Sequence, residues 1–375
     1  MTSPMVSPPI IEVLPPSEIF SPAAAGAIAL MVARLFARRD GFAPLVLGPA
    51  PSSPPFPGVA FQPVRPAFRP LRRAARYAVG VQRAARGLSP ALIEVHNRPD
   101  IARFLAGRGA APVVLCLHND PQDMRASRTA AAREGLLAAL GGVIVASEFL
   151  RRRFLDGLAP EAAARVWVVP NCLDLAHLPP PLPPGGRAQE ILYVGRVVAD
   201  KGVDGFVAAC ASALPRLPGW RASLIGADRF GAASLETPFL RAIRERAAAA
   251  GIEMQGYRTH DQVLAAMARA AIVAVPSRWA EPFGLTAIEA MASGAALMTT
   301  RRGALPDLAG AAAVYIDPDD PAGMAEAITA LAGDPERRAA LAEAGLRRVR
   351  DFECDAALTR LDRLRREIIG AGTRR

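Results

Sequence analysis

The 375-residue chain is long enough for two domains of ordinary size, and its 51% hydrophobic and 21% charged residues are typical of a soluble globular protein. No apolar run approaches the roughly 20 residues that a membrane-spanning helix requires, and the N-terminus lacks the basic region of a secretory signal. The net charge of +10 comes almost wholly from arginine, since Lys201 is the only lysine, and it would suit nucleic acid, an anionic membrane or an acidic substrate.

The four cysteines show no spacing that is typical of a metal site. Cys116, Cys172, Cys210 and Cys354 lie far apart in the sequence, without a CxxC or Cys/His pattern. We expect them to be reduced, mostly buried residues of a cytoplasmic protein. No metal is predicted.

The first half of the chain contains short apolar runs that predict buried strands of an α/β domain. These runs cover residues 10–14, 44–47, 92–95, 113–117, 142–146 and 166–170. A helix is predicted from the loop at Ala25-Gly26 to about Arg38, and the proline-rich residues 49–66 are predicted to lack regular structure. His96 and His118 each follow a strand, at the sheet edge where open α/β folds bind ligands.

Residues 65–86 form a basic segment without an acidic residue. Its arginines are Arg65, Arg69, Arg72, Arg73, Arg76, Arg83 and Arg86, and Leu71, Ala75, Ala78 and Val79 can form an apolar stripe beside them. Two interpretations stay open. The segment lies on an anionic membrane, at the inner face of the cytoplasmic membrane, or it is a solvated helix face.

The run of prolines from Leu178 to Gly186 predicts a linker, after which a second α/β domain begins. Its predicted strands cover residues 190–194, 222–225, 252–256, 271–275 and 296–300. The sequence from residue 321 onward is predicted to be helical, with an interruption near Asp334-Pro335. The D-P-D-D-P run at residues 317–321 favours a turn over a metal-binding acidic pair.

Charged residues gather where strands of this second domain end. A helix is predicted to begin near Gly284 and to stop at Gly294, and its N-terminus favours an anion such as phosphate. Glu281 and Glu289 flank that N-terminus, where carboxylates suit the hydroxyls of a ribose or a sugar. Arg196 and Lys201 follow the first strand of the domain and can neutralise a diphosphate leaving group.

The string Glu281-x7-Glu289 around Pro-Phe-Gly-Leu, followed by Ala290-Met-Ala-Ser-Gly294 and Gly303-Ala-Leu-Pro-Asp307, resembles the signature of the family 4 glycosyltransferases. The resemblance implies an α/β GT-B fold, with two Rossmann-like doubly wound domains and the active site in the cleft between them. The implied domains are an acceptor-binding domain at residues 1–178 and a nucleotide-sugar-binding domain at 187–355. A C-terminal helix, 356–375, is implied to return to the first domain.

The resemblance also implies roles for individual residues. Catalytic roles fall on His118, Glu281, Arg196 and Lys201. His118 and Glu281 would contact the donor sugar, and Glu289 would bind the ribose. Donor-binding positions are Gly26, Gly195, Arg196, Lys201, Tyr257, Arg258, Phe283, Gly284, Leu285 and Glu289. Members of the family usually carry a Gly-Gly pair in the loop where this chain has Ala25-Gly26, so an ordinary helix start is an equal alternative for Gly26. His96 is interpreted as structural.

The predicted reaction is therefore transfer of a hexose-type sugar from a nucleoside diphosphate sugar, a UDP-sugar in preference to a GDP-sugar, to an acceptor hydroxyl with retention of configuration. The family works without a separate cofactor or an obligatory metal. We expect a saccharide or lipid-linked saccharide acceptor in envelope or polysaccharide biosynthesis. The enzyme alternatives are a GT-B phosphorylase or a sugar-nucleotide epimerase, and the others are a non-catalytic GT-B protein or a basic nucleic-acid-binding protein. Nucleic acid is not a predicted partner, because basic and aromatic residues do not cluster together.

Overall fold

The computed structural model describes residues 9–36, 42, 44–68, 72–109, 111–229 and 236–372. The chain divides into two compact units. The first unit contains Met1–Cys172 and Cys354–Arg375, and the second contains Leu173–Glu353. The first unit thus ends at Cys172 and not at residue 178, because residues 173–178 belong with the second unit.

A seven-stranded parallel sheet forms the centre of the first unit, with strand order β3-β2-β1-β4-β5-β6-β7. Its strands are β1 (Ile10–Val13), β2 (Pro44–Gly48), β3 (Ala60–Pro63), β4 (Leu92–His96), β5 (Val113–Leu117), β6 (Gly142–Val145) and β7 (Val166–Val168). The strand order reverses between β1 and β4, and ligands of open α/β sheets bind outside the carboxyl ends at such a point.

Six helices belong to the first unit, within the described ranges. They are α1 (Ala27–Phe36), α2 (Arg73–Arg86), α3 (Pro99–Ala106), α4 (Ala130–Ala139), α5 (Glu148–Leu155) and, after the chain returns, α13 (Cys354–Gly372). Helix α13 lies within this unit, since its Arg365 is hydrogen-bonded to side chains of β1 and β4. Residues 37–40, where the first helix was predicted to end, lie outside the described residues.

A six-stranded parallel sheet forms the centre of the second unit, with strand order β10-β9-β8-β11-β12-β13. Its strands are β8 (Ala188–Val194), β9 (Arg221–Ile225), β10 (Glu253–Gly256), β11 (Ala270–Val275), β12 (Ala296–Thr300) and β13 (Ala313–Ile316). The order reverses between β8 and β11. Strand β11 is buried along its whole length, as its continuous apolar sequence predicts.

The helices of the second unit alternate with its strands and cover the sheet. Over the described residues they are α6 (Val203–Ala213), α7 (Pro238–Ala249), α8 (His260–Arg269), α9 (Leu285–Ala292), α10 (Leu305–Ala309), α11 (Pro321–Gly333) and α12 (Pro335–Arg348). The predicted break near residue 334 is confirmed, because Asp334 ends one helix and caps the next by accepting from Arg337 N. The predicted turn at residues 317–321 is confirmed as well, since Asp317 accepts from Asp319 N.

The prediction that residues 49–66 lack regular structure was wrong, because β3 lies within this range. This strand pairs with β2 along the edge of the sheet, where the loss of a donor at Pro63 is tolerated. The ring of Phe61 stacks on Phe20, with ring centroids 5.5 Å apart. The packing of this aromatic side chain favours the strand. The prolines around it had led us to predict a loop.

The expectation of four reduced cysteines was wrong for two of them. Cys172 and Cys354 form a disulfide, with Cα atoms 4.9 Å apart although 182 residues separate them in the sequence. They are the last residue of the first unit before the chain leaves it and the first residue after the chain returns. Sequence spacing could not reveal this proximity. Cys116 and Cys210 are free and buried, as predicted.

The basic segment, residues 65–86, contains the helix α2, but the apolar side of this helix is not exposed as a stripe. Helix α2 buries Tyr77, Ala78 and Val81 in the core of the first unit, and the Tyr77 hydroxyl donates to the carbonyl of Leu14. The apolar face of this helix is therefore already covered by its own unit. Leu71 and Arg69 lie outside the described residues.

Two features are absent from the described ranges. None of the helices in these ranges is long and apolar enough to cross a membrane. The same part of the chain contains no group of three or more histidine, cysteine, aspartate or glutamate side chains arranged to hold a metal ion.

Candidate active site

The predicted strand-helix-strand segment of the second unit is confirmed. Strands β11 and β12 are parallel neighbours, and α9 connects them. Gly284 precedes the helix with a φ of 116°, and Gly294 follows it with a φ of 70°, two left-handed conformations that favour glycine. The first N–H groups of α9 therefore open at the carboxyl edge of the sheet.

Two predicted site residues contact each other at this edge. Lys201 Nζ lies 2.5 Å from Glu281 Oε1, and both side chains are partly buried. Lys201 lies in the turn between β8 and α6, whereas Glu281 lies in the loop between β11 and α9. The strands before these loops, β8 and β11, are neighbours at the reversal of the strand order, so the sheet topology brings them together.

Backbone contacts fix the positions of both loops. The φ of Gly202 is 67°, and a Cβ atom there would meet the carbonyl oxygen of Pro276, so the Lys201 turn requires glycine. The backbone N–H of Ala304 donates to the carbonyl of Glu281 at 2.8 Å. The turn that follows β12 thereby braces the Glu281 loop.

Arg278 connects the two loops, and the sequence reasoning missed it. Its guanidinium donates to Asp204 on α6, to Asp319 after β13 and to the carbonyl of Ala199 beside Lys201. Burial alone would raise the pKa of Asp204, but the hydrogen bonds from Arg278 hold it below its usual range. Arg278 thus fixes the Lys201 turn against the Glu281 loop.

The remaining predicted carboxylate, Glu289, lies in the second turn of α9 and is 7% exposed. His260 Nε2 at the start of α8 lies 3.6 Å from Glu289 Oε1. The structure therefore adds His260 to the polar groups on this edge. An imidazole and a carboxylate together can exchange hydrogen bonds with the hydroxyls of a sugar or a ribose.

Arg196 and Gly195 occupy the turn that follows β8. The carbonyl of Arg196 accepts from the buried Tyr193 hydroxyl at 2.8 Å, which fixes the turn. The guanidinium itself is exposed, and the described residues provide no acidic partner for it. It is therefore available to an anionic ligand.

The remaining predicted donor-binding residues of the second unit differ in the exposure of their side chains. The Phe283 side chain is 4% exposed and contacts the ring of Phe352, so only its backbone can face a ligand. Tyr257 is 42% exposed and, with Arg258, follows β10 at the carboxyl edge of the sheet. Leu285 is the first residue of α9.

In the first unit, the two histidines that follow strands contact each other. His96 Nδ1 lies 2.9 Å from His118 Nε2, and His96 Nε2 lies 2.7 Å from Glu12 Oε2. His118 is partly exposed, whereas His96 and Glu12 are buried. Burial lowers the pKa of His118 to about 4 and that of His96 to about 3, so both rings are neutral near pH 7.

A buried ionic cluster supports these histidines, and it was also missed. Glu12 and Glu94 are paired in register on β1 and β4, and Arg365 of α13 donates to both. Arg365 donates to Asp362 as well. Glutamates within otherwise apolar strands, such as I-I-E-V, are the sequence signal that could have indicated buried partners.

The structure gives Gly26 a local role at the start of α1. The Glu18 carboxylate accepts from the backbone N–H of Ala29 at 3.0 Å, and a Cβ atom at residue 26 would meet that carboxylate. The amino end of this helix already holds an anion. Binding of the donor diphosphate by Gly26 therefore stays a prediction without a supporting contact.

A cavity of about 450 Å³ lies at the carboxyl ends of β12 and β13. Its lining residues are Arg301, Arg302, Tyr315, Ile316, Asp317 and Pro318. None of the predicted donor-binding residues lines it. It adds two arginines to the charged edge of the second unit.

Two Rossmann-like units of parallel strands, each with charged residues at the reversal of its strand order, are the architecture of the GT-B glycosyltransferases. Two family models match adjacent parts of the chain. The model of glycosyltransferase family 4 matches residues 25–177, and that of the group 1 glycosyl transferases matches residues 179–348. The chain belongs to the family 4, group 1 glycosyltransferases.

Individual relatives are more distant. The glycogen synthase of Mycobacterium tuberculosis (strain ATCC 25618 / H37Rv) is 33% identical over 207 residues, which are 52% of this chain and 47% of that protein. The chain thus matches about half the length of this relative. Among solved structures, sucrose-phosphate synthase from Thermosynechococcus elongatus has a TM-score of 0.77 at 21% identity and covers 97% of this chain and 99% of its own.

Anabaena HepE, solved in complex with UDP and glucose, has a TM-score of 0.75 at 19% identity, over 94% of this chain and 98% of its own. At these identities, the two structures are similar to this chain in fold. They confirm the predicted GT-B fold class.

Proposed function

We propose that this protein is a retaining glycosyltransferase that moves a hexose-type sugar from a nucleoside diphosphate sugar to an acceptor hydroxyl. The contact between Lys201 and Glu281 carries the proposal. It places a cation for phosphate and a carboxylate for sugar hydroxyls side by side, at the sheet edge where α9 begins. A ligand that carries both a diphosphate and a sugar matches this pair.

In the proposed reaction, the bond between the sugar C1 and the phosphate oxygen breaks while the acceptor oxygen bonds to C1. The acceptor proton passes to the departing phosphate on the same face. Arg196, Lys201 and the free N–H groups of α9 stabilise the charge that develops on the diphosphate. Glu281 orients the sugar, and Glu289 with His260 holds hydroxyls of the ribose.

We favour a UDP-sugar as the donor, since Anabaena HepE, which has a similar fold, was solved with UDP. Calorimetric titration with UDP and with GDP tests the donor site. We expect UDP to bind the wild-type protein and binding to be lost in the Arg196→Ala/Lys201→Ala variant. Arg216→Ala/Arg244→Ala, which removes two exposed cations elsewhere in the same unit, is the matched control and should bind as the wild type does.

If neither nucleotide binds the wild-type protein, the donor carries a different base or the second unit is not a donor site. If the control variant loses binding as well, net charge and not the site explains the effect. After UDP binding is established, NMR of the product with a UDP-hexose determines the configuration at C1. Inversion would contradict the proposed retention.

We propose that the acceptor is a saccharide or lipid-linked saccharide and that residues 65–86 bring the protein to an anionic membrane. The apolar stripe predicted from the sequence does not support membrane binding, because α2 buries its apolar face. The support for membrane binding is therefore limited to a few exposed residues. It consists of Phe68, which is 89% exposed, and the exposed arginines nearby, such as Arg65, Arg72 and Arg73. An exposed aromatic ring among cations suits a membrane interface.

Flotation with vesicles that contain anionic lipid, and with neutral vesicles, tests the membrane part. We expect the protein to float with the anionic vesicles alone and the Phe68→Ser variant to float less. Equal behaviour with both vesicles would contradict an electrostatic membrane site and would leave the solvated helix face as the interpretation.

A further inference from the structure

The buried carboxyl of Glu12 is connected to the surface of the first unit through two histidines. Glu12 contacts His96, and His96 contacts His118, at 2.7 and 2.9 Å. Glu12 is 1% exposed and His96 is 6% exposed. Because both histidines are neutral, each ring carries one proton, and each contact has one defined donor.

The surrounding charges determine whether Glu12 holds a proton. Arg365 is hydrogen-bonded to three buried carboxyls, those of Glu12, Glu94 and Asp362. The nearby Cys116 thiol is neutral, because burial raises its pKa. One guanidinium cannot balance three carboxylates in a buried site, so a proton on one of them is favoured.

The geometry indicates which carboxyl keeps that proton. Arg365 donates two hydrogen bonds to Glu94, from Nε and Nη2, but only one to Glu12. Burial opposes ionisation of Glu94, but Arg365 outweighs it and lowers the pKa of Glu94 to about 2. Burial and the neighbouring Glu94 raise the pKa of Glu12 well above its usual value.

A protonated Glu12 sets the direction of every hydrogen bond in the chain. Two groups can accept the Glu12 proton, the Glu94 carboxylate and His96 Nε2. Both Glu94 oxygens and Glu12 Oε1 already accept from Arg365, so the proton is assigned to Glu12 Oε2, which donates to His96 Nε2. His96 must then carry its proton on Nδ1 and donate it to His118 Nε2. His118 is left with a proton on Nδ1, and the side-chain oxygen of Asn171, which is hydrogen-bonded to this histidine, can accept it.

We propose that Glu12 and His96 are positioning residues that hold His118 as the neutral tautomer protonated on Nδ1. The consequence for catalysis depends on the proposed function. Both ring nitrogens of His118 are then hydrogen-bonded within the first unit, so the ring is neutral and places no positive charge beside C1, where positive charge develops during transfer. An imidazolium there would oppose the reaction.

NMR of the protein labelled with ¹⁵N-histidine tests the tautomer directly and without substrate. The chain has only four histidines, so the spectrum is simple to assign with single substitutions. We expect His96 and His118 to be Nδ1–H tautomers and to stay neutral at pH 5, above their pKa values of about 3 and 4. A His118 that is protonated on Nε2, or that is charged at pH 5, would overturn the proposal.

Two substitutions at Glu12 separate positioning from folding. In Glu12→Gln the side-chain oxygen can still accept from Arg365 and the amide N–H can still donate to His96, so His118 should keep its tautomer. In Glu12→Met the donor is lost, and we expect a mixture of His118 tautomers and a fall in kcat of about tenfold with KM little changed. A His118 tautomer that changes in the Gln variant would show that Glu12 does not donate to His96 in the wild-type protein and would contradict the proposal.

Failure of this proposal can be told apart from failure of the proposed function. The tautomer of His118 is measured on the free protein, whereas the donor site is tested by UDP titration. The Gln variant should also retain most of the kcat that the Met variant loses. If the two variants lose the same activity while the spectra differ as expected, the tautomer has no part in catalysis.

Discussion

Both units have charged residues on the two strands where the strand order reverses or in the loops that follow them, but these residues differ in burial. In the first unit, Glu12, Glu94 and Arg365 are almost fully buried and satisfy one another. In the second unit, Lys201 and Glu281 are partly exposed in loops, and Arg196 is exposed. Buried charges fix a structure, whereas charges at a partly open edge can exchange their partners for a ligand.

The difference follows from where the charges lie along the strands. Glu12 and Glu94 lie within β1 and β4, beneath α13, where water cannot reach them. The charged residues of the second unit come after β8 and β11 have ended. The same doubly wound topology thus provides a rigid support in one unit and a binding edge in the other.

Removing the buried cation should have the largest effect on stability. Arg365→Met leaves the carboxyls of Glu12 and Glu94 without their partner, and we expect a loss of about 3–5 kcal/mol in the free energy of unfolding. Urea unfolding measures it. Adding Glu94→Gln should recover part of the loss, and a single variant as stable as the wild-type protein would contradict the role of the cluster.

Removing the positive charge of Lys201 should affect activity more than stability. In the proposed reaction, Lys201→Met deprives the leaving diphosphate of a positive charge and leaves Glu281 without its partner, so kcat/KM should fall by about 10²- to 10³-fold. Steady-state kinetics with a UDP-hexose measures it, and Arg216→Ala is the control. A fall of similar size in thermal stability would show that Lys201 has a structural role, as Arg365 does.

The disulfide should stabilise the first unit, whose two chain segments it joins. Cys172→Ser/Cys354→Ser, or reduction of the wild-type protein, should lower the free energy of unfolding by about 2–4 kcal/mol. Denaturant unfolding with and without reductant measures the effect. The denatured, unreduced protein should show two reactive thiols, those of Cys116 and Cys210, and four reactive thiols would contradict the disulfide.

Acid should weaken the first unit gradually. His96 and His118 have pKa values of about 3 and 4 when folded, below the ordinary value of 6.5, so the unfolded chain binds their protons first as the pH falls. The two histidines should therefore cost no stability above pH 6.5 and should lower it at more acid pH, and Glu12, whose folded pKa is raised, should offset part of that loss. Each histidine should lower it by up to about 1.4 kcal/mol per pH unit between pH 6.5 and its folded pKa. Urea midpoints at pH 7, 6 and 5 measure the slope, which His118→Asn should reduce.

The amino-acid sequence by itself determined most of the architecture. Continuous apolar runs predicted the strands, and the glycines at 284 and 294 set the limits of α9, because periodicity and backbone freedom are local properties. The sequence also indicated Lys201 and Glu281, since both follow strands of a predicted parallel sheet.

Only the tertiary structure determined which residues meet. Arg365 is 353 residues from Glu12, and Cys354 is 182 residues from Cys172, and no pattern in the sequence connects either pair. His96 was interpreted as a structural residue, and its contacts with Glu12 and His118 became visible only in the folded unit. Contacts of this kind depend on strand order, register and the return of α13, which are set by packing of the whole unit and not by local sequence.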